Sequence, residues 1–349
     1  MKESSLAFLA DAYTSPLLLN TLLREDIPAW ARTPRLKEDL EKNCQGLHIL
    51  DDDKASQIVS DPRSKIILNS ADVLTVLVER SKAEVEGVEG RIKAVKLLED
   101  KECLRKALNR VGKGSSKGPL FGEIGNGQSV VCDAYFNSKG ELIILGIYAS
   151  PASEGVSRDS KAIVKAQEQA KQQHPPRTLY YTSSEVIKKR LPRVESMLRN
   201  ISPAKEIKNI PFHAEFVLQK NRLLFSKATP MGFGAFSLSD LLFFAFNINP
   251  YGYYFRDMKP NWKEILERSD DRINFWVLSD LRQKVPAGAE ADHDDYIESF
   301  DNLMGYCKLD LRRYTAFSVA FGRADRIEEV TRYASLDFSS YVKVGGERV

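Results

Sequence analysis

The sequence predicts an α/β protein in which a front parallel β-α-β unit leads into a larger α+β part built on an antiparallel sheet. Three observations carry this. Strand-like runs alternate with helical patterns over the first 70 or so residues. Two later pairs of apolar-rich runs flank short polar turns, Asn137-Ser138-Lys139-Gly140 and Lys220-Asn221. Between the two halves lies a glycine-rich basic stretch, Gly112-Lys113-Gly114-Ser115-Ser116-Lys117-Gly118, where the composition changes sharply.

In chain order, Ser5 to Ala10 reads as a first strand. Ser15-Pro16 follows as an N-cap and first-turn proline, with Leu17, Leu18, Leu22 and Leu23 at helical spacing. Ile27 to Ala31 is the next strand, Leu36 to Asn43 a charged helix, Gly46 to Leu50 a strand, then a polar stretch, and Lys65 to Leu68 a strand. Ser70 to Val111 is helical in pattern, with stripes at Val73, Leu74, Leu77, Val78 and at Val95, Leu98, Leu104, Leu108. Ser129 to Phe136 and Glu141 to Tyr148 make one hairpin, and Phe212 to Leu218 and Arg222 to Ala228 the other. Between the hairpins, Ser150 to Arg177 is a polar excursion and Ser184 to Asn200 a basic amphipathic helix. Leu238 to Phe246 reads as a buried helix. Three units are expected: 1–111, an α/β domain with linking helices; 112–250, the α+β core; and 251–349, an α-rich extension packed on it.

Composition narrows the function classes. Of 349 residues, 43% are hydrophobic and 28% charged, the balance of a globular chain with a real core. Lys+Arg 51 against Asp+Glu 48 gives +3, so charge offers no reason to expect a nucleic-acid partner. Met1 to Ala12 has no long uncharged segment of a secretory leader, and Leu238 to Ile248, broken by Asp240 and Asn247, is too short to span a bilayer. A cytoplasmic location away from membranes is expected. Cys44, Cys103, Cys132 and Cys307 are too scattered for a disulfide framework or a zinc site.

Leu98-Glu99-Asp100-Lys101-Glu102-Cys103-Leu104-Arg105, the glycine-rich loop, Phe212-His213-Ala214-Glu215-Phe216 and Thr229-Pro230-Met231-Gly232-Phe233-Gly234 follow one another in an order that resembles the ATP-grasp superfamily. The closest flavour is the carbamoyl-phosphate-synthase and biotin-carboxylase-like branch. The resemblance covers most of residues 1 to 250 and implies a pre-ATP-grasp-like front domain ahead of an ATP-grasp-like core. It also implies an ATP-dependent ligase that joins a carboxylate to an amine or thiol through an acyl phosphate, using ATP and Mg2+. The expected partners are those small molecules, with a homodimer as a further expectation.

What the resemblance implies for the site is specific. Lys101, Lys113, Gly114 and Ser115 would contact nucleotide, and Glu215 would hold magnesium. The family's Glu-x-Asn-Pro-Arg becomes Lys227-Ala228-Thr229-Pro230-Met231, which replaces two metal ligands by an ammonium and a hydroxyl and the arginine by a thioether. Most of the small lobe that covers the nucleotide is missing from the sequence between Gly118 and Glu123. Lys227 could then meet phosphate directly. Each position has a plainer alternative: a linker for Gly112–Gly118, a helix-surface lysine for Lys101, an exposed strand lysine for Lys227 and a solvated glutamate for Glu215. Asp133 needs a partner if buried, and His213 shares the face of Glu215. No catalytic residue is assigned. The alternative function is a catalytically inactive ligand-binding or scaffolding protein of the same fold. If the Lys227 strand descends from the family's metal-binding strand, an ion pair between Lys227 and Glu215 is expected.

Overall fold

The Ser15 hydroxyl accepts a hydrogen bond from the Leu18 N–H, and Pro16 occupies the first turn, so α1 (Pro16–Glu25) starts where its sequence signals place it. In the computed structural model the described residues are 5–9, 14–61, 63–68, 91–92, 95–96, 98, 127–151, 179–199, 207–281, 284–345 and 347–348. The front unit holds β1 (Ser5–Leu9), β2 (Ala29–Ala31) and β3 (Lys65–Leu68), parallel and in the order β2-β1-β3. Thr33 caps α2 (Pro34–Asn43).

Two details differ from the sequence reading. The expected strand Gly46 to Leu50 is reduced to one bridge, Ala29 to Ile49, because Gly46 turns the chain with φ +88° on one side and a helix begins almost at once on the other. That helix, α3 (Asp52–Ser60), occupies the stretch read as polar loop. Asp51 caps it by accepting from Lys54 N–H, Asp52 and Asp53 sit in its first turn, and Ala55 and Val59 are buried.

The two expected hairpins are neighbours in one antiparallel sheet of eight strands, β11-β12-β9-β6-β5-β4-β7-β8. β4 (Gln128–Phe136) lies between β5 (Leu142–Ala149) and β7 (Ile210–Gln219), with β8 (Arg222–Pro230) at the edge. The first turn is held by the Asn137 carboxamide, which accepts from the Lys139 and Glu141 N–H groups, and by Gly140 at φ 76°. Lys220 and Asn221 both take positive φ, the geometry of a tight two-residue hairpin turn. Beyond them come β6 (Leu179–Thr182), β9 (Ile273–Asp280), β11 (Leu303–Lys308) and β12 (Ala316–Ala324).

Residues 251–349 therefore do not form a helical extension. They supply β9, β11 and β12 to the same sheet, together with short helices, and no boundary at 250 divides that sheet. The apolar run of β12 is buried along nearly its whole length, and such a run carries no period-2 signature. Leu238 to Phe246 is a 3-10 turn (Leu238–Asp240) followed by α5 (Leu241–Phe246), and Phe243 is exposed rather than buried. No helix among the described residues is long and apolar enough to cross a membrane.

Alternation along β4 and β7 builds two cores. Cys132, Ala134, Phe136, Phe212, Ala214 and Phe216 face α4 (Ser184–Leu198) through Ile187, Val194 and Leu198. Val131 and Tyr135 lie in the second core with Leu18 and Leu22 of α1, Leu238, Leu241 and Tyr254. The front unit is seated here by backbone: Leu68 N–H donates to Met231 C=O, and a Cβ at Gly232 would meet Leu68 O at 2.6 Å, so only glycine fits.

A second tie is side-chain in origin. The Ser15 hydroxyl that caps α1 lies 2.7 Å from both oxygens of buried Asp240, which also accepts from Tyr251 at 3.0 Å. Burial pushes the Asp240 carboxyl up from 3.8 to about 7, against the lowering effect of the Ser15 and Tyr251 hydroxyls. The folded state thus holds the proton more tightly than the unfolded chain. The stabilisation is complete below about pH 4 and is lost as pH rises through about 7, at most roughly 4 kcal/mol. Melting temperatures of wild type and Asp240→Asn should therefore diverge across that window, the wild type losing more stability as pH rises. Parallel curves would contradict this assignment.

Candidate functional site

Three strands place two rows of side chains on one face of the sheet. Asp133 on β4 is opposite His213 on β7, which is opposite Thr229 on β8; Val131, Glu215 and Lys227 form the next row. The strand period makes residues two apart share a face, and the bulge after Glu215 comes just beyond these pairs.

The expected ion pair is present. Lys227 Nζ lies 3.0 Å from Glu215 Oε1, the lysine about half exposed and the glutamate nearly buried. Thr229 is exposed beside it. Met231, where the resemblance puts an arginine, is fully buried in the core against α4 and turns its backbone to the front unit.

Asp133 is fully buried and receives four partners. Oδ1 meets His213 Nδ1 at 2.7 Å and the Gly234 N–H at 2.9 Å; Oδ2 accepts from the Tyr148 hydroxyl at 2.9 Å and the Ser239 hydroxyl at 2.7 Å. Burial and the neighbouring Asp133 charge push the Tyr148 hydroxyl far up, which keeps it a donor. The sequence reading asked for a partner to Asp133 and set His213 near Glu215. It missed Tyr148, Gly234, Ser239 and Asp240. The available signal was the Ser239-Asp240 dipeptide ending a glycine-rich loop, whose side chains reach the sheet and α1 respectively.

Lys101, Lys113, Gly114 and Ser115 lie outside the described residues, as does the segment where a small lobe would stand. The aromatics of the last third line core layers: Trp276 donates to Phe236 C=O, and Tyr254 bonds the β3 backbone. Among the described residues no group of three or more His, Cys, Asp or Glu side chains is placed to hold a metal ion, and Glu215 is the one carboxylate of its row. A groove of about 980 Å³ between α4 and α9 (Ile327–Ala334) opens on the other face of the sheet. Its charges are largely matched within the protein, Lys189 by Glu185 and Arg332 by Asp301.

The two rows should differ in cost. Asp133→Ala strands a part-buried imidazole, an amide and two hydroxyls and should destabilise by about 3 kcal/mol. Lys227→Ala breaks a half-exposed pair and should cost less than about 1 kcal/mol. Urea denaturation measures both; equal losses would overturn the ranking.

Residues 93–240 match the family described as ATP-grasp domain. No curated protein matches the sequence of the chain. Solved structures match it in fold from end to end. Phosphoribosylglycinamide synthetase from Anaerococcus prevotii superposes with TM-score 0.59 at 8% identity, covering 98% of this chain and 99% of that one. L-amino acid ligase from Bacillus licheniformis gives 0.58 at 10%, covering 98% of each. N5-carboxyaminoimidazole ribonucleotide synthetase from Thermotoga maritima gives 0.57 at 10%, covering 95% and 96%. The chain therefore has the ATP-grasp fold, and residues 93–240 match the ATP-grasp domain family.

Proposed function

We propose that the chain binds ATP over the Glu215–Lys227 row and works as an ATP-grasp-type ligase, joining a small carboxylate to an amine or thiol through an acyl phosphate. The Lys227 ammonium takes a place that the family gives to divalent metal. The observation that carries the metal-sparing part is the 3.0 Å ion pair itself. An ammonium beside a carboxylate offsets the charge that would attract magnesium, while its half-exposed position leaves it able to meet phosphate oxygens. The fold shared with three ligases supports the reaction class. Glu215 then serves as the partner of Lys227. Lys101, Lys113, Gly114 and Ser115 remain proposed nucleotide contacts. A cytoplasmic setting, small-molecule partners without nucleic acid or membrane, and a homodimer complete the proposal.

A second reading, a ligand-binding or scaffolding protein without turnover, is favoured by Met231, whose buried side chain leaves no arginine at that position for the charge of phosphoryl transfer. ADP formation from ATP, magnesium and a mixture of L-amino acids separates the two readings.

Titration calorimetry tests the nucleotide site. Wild type should bind ATP with less than about tenfold gain on adding magnesium. Lys227→Ala should weaken magnesium-free binding about tenfold, roughly 1.4 kcal/mol. Lys227→Glu with Thr229→Asn, which restores the family's donors, should make binding depend on magnesium. Tight, strictly magnesium-dependent binding by the wild type would overturn the proposal.

A further inference from the structure

Asp133 does more than tie the sheet together, because it assigns the hydrogen on His213. Gly234 N–H can only donate, and the Tyr148 and Ser239 hydroxyls donate to the other oxygen, so the carboxylate is an acceptor on both sides. His213 Nδ1, 2.7 Å from Oδ1, completes the set as a fourth donor. In the neutral imidazole the hydrogen is then on Nδ1, and Nε2 carries a lone pair. The ring is anchored at Nδ1 to a fully buried carboxylate and keeps a side-chain exposure of 13%. Thr229, the cross-strand partner of His213, is exposed, and Glu215 and Lys227 lie one row away.

We propose that His213 Nε2 is a fixed hydrogen-bond acceptor on this face of the sheet, and that it receives and orients a ligand N–H or S–H donor, the amine or thiol of the ligase reaction. The substrate role rests on the ligase reading above. The two rows divide the work: Lys227 presents positive charge to anionic oxygen, while His213 presents a lone pair to a proton-bearing nucleophile. A fully deprotonated anion such as sulfate has no hydrogen to give Nε2 and is disfavoured there, so the pair of rows sorts the two reactants by hydrogen-bond polarity. Asp133 is a positioning residue that acts through His213. The dependence is geometric, since a carboxylate that is held by three other groups cannot follow the ring if it rotates.

Nitrogen-15 NMR of histidine-labelled full-length protein at mildly alkaline pH tests this without turnover. His213 should show a protonated Nδ1 and an unprotonated, pyridine-like Nε2. Hydroxylamine, a small neutral amine, should move the Nε2 resonance, and sulfate, which has no hydrogen to donate, should leave it in place. A hydrogen on Nε2, a resonance that hydroxylamine does not move, or an equal response to sulfate would overturn the proposal. His213→Asn against His213→Gln provides a second arm, read at the Thr229 amide. The glutamine carbonyl reaches the position of Nε2 and should keep the hydroxylamine response; asparagine ends near Nδ1 and should weaken it at least fivefold. Equal responses in the two variants would contradict the assignment. The ligase reading fails separately, by absence of ADP formation in a wild type whose Nε2 still responds to hydroxylamine.

Discussion

The buried carboxylate of Asp133 is the constraint on which the rest of the site depends. A lone carboxylate in an apolar layer is costly, and here that cost is offset by donors drawn from three places: β5 through Tyr148, β7 through His213, and the glycine-rich loop through Gly234 and Ser239. Because the donors come from separate segments, satisfying the charge fixes where the loop lies on the sheet. The next residue, Asp240, then meets Ser15 and Tyr251, and the front unit is seated against the same loop. Local chemistry at one strand position is in this way converted into the relative placement of two parts of the fold.

The second row obeys a different balance. Glu215 is nearly buried and Lys227 half exposed, so their attraction is screened and contributes little to stability. The lysine places an ammonium on the exposed edge of the sheet, whereas the neighbouring histidine is held in one orientation by Asp133. Two adjacent rows on the same face can thus differ in electrostatic sign and in hydrogen-bond polarity.

Much of this was legible in the sequence, for definite reasons. Ser15-Pro16 announces α1, the Lys220-Asn221 turn announces the β7–β8 hairpin, and strand periodicity together with the family resemblance sets Lys227 beside Glu215. Elements without a local signature were lost. α3 was read as loop because its polar composition hid a two-residue apolar face under an Asp51 cap. The strands of the last third were read as helical because β12 is apolar on both faces and shows no alternation. The Asp133 network could not be read, since its donors lie 15 to 106 residues away and only the fold brings them together.

The central claim is that an ammonium stands in this cleft where the family's strand holds metal. A crystal structure with a non-hydrolysable ATP analogue, grown with magnesium present, tests it directly. The account predicts Lys227 Nζ in hydrogen-bond contact with a phosphate oxygen while still paired to Glu215, with no magnesium ion bound to the Glu215 carboxylate. A magnesium ion coordinated by Glu215 and the phosphates, with Lys227 turned away, would contradict it.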